Sequence, residues 1–332
     1  MNSMELGIDL GAFLADVEQT LQLALTDGSS SVSPNGDTLM GAARHLCLGG
    51  GGKRARPMMV RLFGEACSAP AEHLVPVAVG AELIHSASLL HDDVVDAGMF
   101  RRGRPTVNAR WGNIVAVMTG DILLTTALGK LAKIDMRVTQ EAILTVAEMT
   151  RAAIAEVEAR GDVSLSLEKL RSIAEGKTGA LFGWCGIAAA LLADDEEARS
   201  RFSGFGRRLG VAFQIADDIR DLTGLDQGKP QYADLQSRTP SLPILLAAKR
   251  DDAFRRRLRE SWTFAAMTPD RVCELGTAVL CSGAIEAAID IMNVEIEAAI
   301  DALGPYCDCR GGGELAHWAR RLAAGIRGRE AA

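Results

Sequence analysis

Apolar residues recur at spacings of three and four through residues 4–26, 54–67, 72–99, 112–134, 138–160, 166–192, 196–223, 240–250 and 268–303. That is the helical period; a half-buried strand would alternate at two. Alternating runs are scarce, and aromatics, which favour strands, make up only 5% of the chain. The pattern predicts an all-α protein with long helices, several nearly apolar on every face and therefore central. The last stretch is expected to be two helices broken near Cys281, Ser282 and Gly283. Glycine and proline punctuate the chain at Gly49–Gly52, Arg102–Pro105, Gly161, Gly224–Pro230 and Gly311–Gly313. None of these is long enough for a domain linker, so residues 1–332 are expected to form one domain.

Charge and cysteine usage narrow the function. A net charge of −7 disfavours a general nucleic-acid partner. The first residues, MNSMELGIDL, lack the basic and apolar pattern of a signal peptide. No uninterrupted apolar run is expected to span a membrane. Seven scattered cysteines read as reduced thiols, so a cytoplasmic location is expected. Cys307 and Cys309 form a CxC pair, but no second Cys/His pair has zinc spacing.

Two acidic clusters of one shape stand out: Asp92, Asp93 and Asp96, then Asp217, Asp218 and Asp221, 125 residues later. On a helix the first and fifth residues of such a pentad share a face, where like charges repel by a few tenths of a kcal/mol per pair. Two copies inside apolar helices call for a strong cation between them. Mg²⁺ fits, because it binds through one or two carboxylates and completes its shell with water and phosphate.

Basic residues accompany the acids. Arg101, Arg102 and Arg104 follow the first pentad, where diphosphate oxygens would need neutralising. Gly49–Gly52, then Lys53, Arg54 and Arg56, can present backbone N–H groups and cations to a phosphate. This segment is no P-loop, since no strand precedes it and no Ser or Thr follows Lys53. His85 lies seven residues before Asp92 on the same face, whereas His91 is less constrained. Lys177 interrupts an apolar helix and is expected to face an anion. Gln214 sits three residues before Asp217, and Lys229 lies in the glycine-rich segment beyond.

The segments GGKRARP, HDDVVD…RRGRPT, EGKTGALF and QIADDIRD resemble the trans-prenyl diphosphate synthases (polyprenyl synthetases), in order and spacing, over about residues 40 to 250. The resemblance implies a homodimeric helical bundle of the isoprenoid synthase type with a deep central cavity. It implies that Lys53, Arg56, His85 and Arg102 hold isopentenyl diphosphate. Asp92, Asp96, Asp217 and Asp221 look like ligands of two or three Mg²⁺ ions, supported by Asp93 and Asp218. Arg101, Lys177, Thr178, Gln214 and Lys229 match positions that bind the allylic diphosphate.

The implied reaction is Mg²⁺-assisted ionisation of the allylic diphosphate, attack by the alkene of isopentenyl diphosphate, and proton loss. The residue five before the first aspartate often limits product length in this family. It is Ala87 here, with Ser88 beside it, which implies an all-trans product of long chain. A short-chain farnesyl or geranylgeranyl synthase and a regulatory subunit of a heteromeric synthase are the alternatives.

Three departures from the family pattern follow. Arg220 stands where Leu is common, Thr239 stands where a lysine is usual with Arg238 beside it, and residues 155–160 lack the EGExxQ pattern of many long-chain members. A His-Asp phosphohydrolase would leave the second pentad idle. Head-to-head synthases and terpene cyclases would not require the GGKRARP pocket.

Overall fold

The computed structural model describes residues 10–26, 37–50, 52, 54–224 and 231–327. Sixteen helices follow one another among them: α1 (Leu10–Ala24), α2 (Thr38–Cys47), α3 (Ala55–Ala66), α4 (Ala71–Val95), α5 (Val107–Trp111), α6 (Asn113–Leu131), α7 (Met136–Glu158), α8 (Leu167–Ala174), α9 (Ala180–Leu192), α10 (Glu196–Thr223), α11 (Ala233–Ser237), α12 (Leu242–Arg250), α13 (Asp252–Phe264), α14 (Pro269–Leu280), α15 (Ala284–Leu303) and α16 (Arg310–Arg327). Between α8 and α9 the helix continues through a π turn at Glu175–Gly179.

The protein is all-α, as the periodicity predicts. Helix starts are set locally by side-chain caps: Asp37, Asp135, Ser166, Asp195, Asp251 and Thr268 each accept a backbone N–H from the first turn they precede. The expected break in the last long stretch falls at Cys281–Gly283, with Gly283 at φ 71°.

Three features depart from expectation. Phe100–Arg101 and Arg104–Pro105 pair as a short antiparallel hairpin, β1 and β2, with Arg102 and Gly103 turning at positive φ. Helix α13 escapes the apolar pattern because its buried stripe is narrow: Phe254, Leu258, Ser261 and Trp262 among six charged neighbours in DAFRRRLRESWTF. Gly311–Gly313 does not end a helix but begins α16. Gly311 packs against α3 so tightly that a Cβ would meet the Leu62 carbonyl oxygen at 2.3 Å.

Last, α4 and α6 are long and apolar enough on average, by length and composition alone, to cross a membrane, although neither is an uninterrupted apolar run. A few charged residues break each run in the sequence without lowering its average enough. Two-thirds of the apolar window of α4 is buried inside the bundle, against one-third for α6.

One hydrophobic cluster runs from Phe13 to Ile326. Helix α10 lies against α9 and α15, and α4 against α6. Phe63, Phe202 and Phe205 stack at the centre, with centroids 4.8 and 5.7 Å apart. This core fixes the ends of α4 and α10, where the two pentads lie.

Candidate active site

Both pentads occupy the C-terminal turns of long helices, the first on α4 and the second on α10. Unpaired carbonyls make a helix C-terminus partially negative, so carboxylates there add to an unfavourable potential that cations relieve. Each aspartate has a definite partner. Asp93 is buried, and Arg101 from β1 clamps it through Nη2 at 2.7 Å and Nε at 3.1 Å. Asp96 pairs with Arg160, which follows α7, and Asp217 pairs with Arg220 at 2.6 Å.

Asp218 is 7% exposed and accepts from Gln214 Nε2 and the Leu242 backbone N–H, both at 3.0 Å. Burial pushes its carboxyl up to about 7 in spite of those donors. Asp221 accepts from the backbone N–H groups of Ala233 and Asp234 at 2.9 and 3.2 Å, fixing the start of α11. A carboxylate oxygen holding one such bond retains a further lone pair for an ion.

Lys177 joins the two halves. The π turn carries its side chain to Glu156, an ion pair, and to within 3.9 Å of Asp92. Burial alone would lower Lys177, but Asp92 and Glu156 overcome it and hold the ammonium above the ordinary lysine value. Burial also raises Asp92, with Lys177 opposing. Thr178, the next residue, contacts Gln214 at 3.3 Å. Lys177, Gln214 and Asp218 then line a cavity of about 320 Å³ whose body is Leu170, Ile173, Val211, Ile215, Leu242 and Ile291. Glu156, Glu168, Arg171, Asp234, Thr239 and Glu295 line it as well.

The basic residues gather around His85. Burial, then the charges of Arg56, Arg102, Arg101 and Arg54, hold its imidazole well below the usual histidine value, so it is neutral. Arg56 lies over the Phe182 ring at 5.0 Å, and its buried Nε has no hydrogen-bond partner. An orphaned guanidinium N–H among buried groups is a donor suited to an anion.

Residues 37–276 match the polyprenyl synthetase family model. The chain belongs to the polyprenyl synthetase family. It is 34% identical over 308 residues to heptaprenyl diphosphate synthase component 2 of Geobacillus stearothermophilus, covering 90% of this chain and 92% of that one. It is 38% identical to the (2E,6E)-farnesyl diphosphate synthase of Mycobacterium bovis over 62% of this chain, which spans 60% of that relative. The solved polyprenyl synthase of Caulobacter crescentus, complexed with calcium and isoprenyl diphosphate, superposes with a TM-score of 0.85 at 26% identity, covering 94% of this chain and 95% of that one. With synthases of this kind as relatives, the chain is a prenyltransferase.

Membership sharpens what the structure does with each expected residue. The expected residues pair locally: Arg101 with Asp93, Lys177 near Asp92, Thr178 with Gln214 and Gln214 with Asp218, while Asp96 and Asp217 are taken by Arg160 and Arg220. Arg56, His85 and Arg102 form the basic cluster beside them. Lys53 and Lys229 lie outside the described residues. Lys177 meets the carboxylates of Glu156 and Asp92 at the cavity wall, and Arg101 is tied to Asp93. Arg238 donates to the Ala265 carbonyl at 3.3 Å, and it is Thr239 that lines the cavity. Arg220 sits among the acids, on Asp217.

Ala87 is fully buried, and Ser88 donates to the His85 carbonyl at 2.8 Å. Neither lines the cavity, which also includes no residue of the first pentad. The single deep shaft between the pentads is therefore not what this cavity forms. His91 turns to α6, its Nε2 3.4 Å from the Val117 carbonyl oxygen and 3.6 Å from Asp121, and a Cβ on Gly120 would meet that Nε2 at 2.3 Å. The CxC thiols are free, and no three metal-binding side chains among the described residues converge into a closed cage.

Glu156, Arg160, Glu82 and Glu18 belong to none of the motifs, yet each pairs with a motif residue. Arg54 bridges Glu18 and Glu82, so this arginine of the GGKRARP segment holds α1, α3 and α4 together. Its signal was available: Glu82 is an acid inside an apolar run, and a buried acid demands a partner.

Proposed function

We propose that the chain condenses isopentenyl diphosphate with an allylic diphosphate, giving an all-trans polyprenyl diphosphate of long chain. The observation that carries this reading is Lys177, which approaches Asp92 of one pentad while sharing a cavity wall with Asp218 of the other. A diphosphate at that junction would meet both acidic helix ends.

The residues fit divalent metal of the Mg²⁺ class. Asp96 and Asp217 present half-exposed carboxylates, hard oxygen donors of the kind Mg²⁺ takes when phosphate and water supply the rest. Asp92, Asp96, Asp217 and Asp221 would hold two or three ions. Bound there, Mg²⁺ supplies charge neutralisation to the departing diphosphate.

The chain's own groups do the remainder. Asp93 and Asp218 are locked by Arg101 and by Gln214, which fixes the helix ends that carry the ligands. Arg56 and neutral His85, with Lys53 and Arg102, hold the second diphosphate near the first, a gain in proximity. The allylic C–O bond breaks and its electron pair leaves with the diphosphate. The alkene then forms the new C–C bond, and the proton lost passes to the released pyrophosphate. Val211, Ile215, Leu242 and Ile291 keep water from the cation.

Small residues at Ala87 and Ser88 support long chains. The likeness to a farnesyl diphosphate synthase favours a short product as the second reading. Self-association is proposed from an apolar face on α6 and α7, where Ile114 is 80% exposed and Leu144 63%. The component 2 relative makes a heteromeric partner the alternative there. Seven free thiols support a cytoplasmic location. Labelled isopentenyl diphosphate with Mg²⁺ and a panel of allylic primers, followed by chromatography, tests the reading. Long polyprenyl diphosphates support it; products of fifteen carbons alone reject long-chain synthesis.

A further inference from the structure

Two guanidinium groups, one from outside the first pentad and one from within the second, each take an exposed aspartate. Arg160, beyond the end of α7, pairs with Asp96; Arg220, one turn along α10, pairs with Asp217. Those carboxylates are 48% and 52% exposed, whereas Asp93 under Arg101 is nearly sealed at 6%. The difference matters. A buried, bidentate pair such as Arg101 with Asp93 is a fixed strut, because breaking it leaves an uncompensated buried charge. An exposed pair is weak and exchanges readily.

Arg160 meets Asp96 through Nη2, while its Nε is buried without a hydrogen-bond partner. A carboxylate oxygen engaged with a guanidinium is a poorer ligand for a hard dication. The nearby positive charge also raises the free energy of the incoming ion.

We infer that Arg160 and Arg220 are positioning residues that compete with divalent metal for one carboxylate of each pentad, and so set how readily the site takes up its ions. This rests on the reading of the pentads as metal ligands. The pairs keep the exposed aspartates ordered and partly neutralised, and they yield when the stronger charge of a dication arrives.

Mn²⁺ titrated into the full chain without substrate, followed by electron paramagnetic resonance of the free ion, tests this. Arg160→Met and Arg220→Met should each bind Mn²⁺ about two- to fivefold more tightly, the factor expected for releasing an exposed ion pair. Arg151→Met, at an exposed arginine elsewhere on α7, should leave affinity unchanged. Unchanged affinity in both test variants overturns the inference, and so does an equal gain in Arg151→Met, which would mark a bulk charge effect. Asp217→Asn separates the two levels. If it weakens Mn²⁺ binding while Arg220→Met does nothing, only the competition fails. If Asp92→Asn and Asp217→Asn both bind as tightly as the parent, the metal reading itself is lost.

Discussion

Gly210 on α10 approaches Gly179 so closely that a Cβ at position 210 would lie 2.2 Å from the Gly179 Cα. Backbone meets backbone there, and the contact seats the π turn carrying Lys177 and Thr178 against the helix carrying Gln214 and Asp218. Gly206 repeats it one turn earlier, against the Phe182 carbonyl carbon at 2.4 Å. Site geometry thus depends on residues that touch no substrate.

Gly210→Ala is accordingly expected to destabilise the fold by about 1–3 kcal/mol, the range for overpacking a tight contact. Helix propensity alone would favour Ala by up to about 1 kcal/mol, so the two effects have opposite signs. A denaturation midpoint measured by circular dichroism decides between them. A more stable variant would show slack between the π turn and α10.

Much of this architecture was legible in the chain. The long helices α4, α6, α7, α10 and α15 announce themselves because each buries a wide apolar face. The amphipathic α13 and the glycine-opened α16 do not, since one shows a narrow stripe and the other starts on residues that usually end helices. At the site, the pentads and their basic neighbours were readable from residue type and spacing. Partnership was not. That Arg101 would clamp Asp93 depends on how the β1–β2 hairpin folds back on α4, and that Glu156 would meet Lys177 depends on how α7 packs against the π turn; no local pattern carries that information.

The neutral state of His85 has a consequence for stability. Its imidazole titrates near the ordinary value of 6.5 in the unfolded chain but well below it when folded, owing to burial and then Arg56. Below 6.5 the unfolded chain therefore binds the extra proton. The stability that His85 contributes is present in full above that pH and is lost as pH falls toward the folded value. Relative to His85→Gln, the parent should lose up to about 1.4 kcal/mol per pH unit below pH 6. Thermal midpoints of both proteins between pH 5 and 8 test this; parallel curves would contradict a depressed histidine.

Ala87→Phe should shorten the product, if the small residue below the first pentad leaves room for the tail. Because Ala87 is fully buried, the same change is expected to cost roughly 1–3 kcal/mol in stability. Ser88→Phe, at a half-buried neighbour, gives a milder form of the test. Product length is read by reversed-phase chromatography. An unchanged distribution from both folded variants would place the limiting wall elsewhere, with Ile215 and Leu242 in the cavity the next residues to enlarge.

The most direct measurement is turnover of labelled isopentenyl diphosphate with an allylic primer by the purified chain, with Mg²⁺ and with excess chelator, for the parent and for Asp92→Ala. The account predicts Mg²⁺-dependent formation of polyprenyl diphosphate that chelator abolishes and Asp92→Ala nearly eliminates. Persistence of turnover in chelator would contradict it, and so would a loss in Asp92→Ala smaller than about tenfold, or roughly 1.4 kcal/mol of barrier.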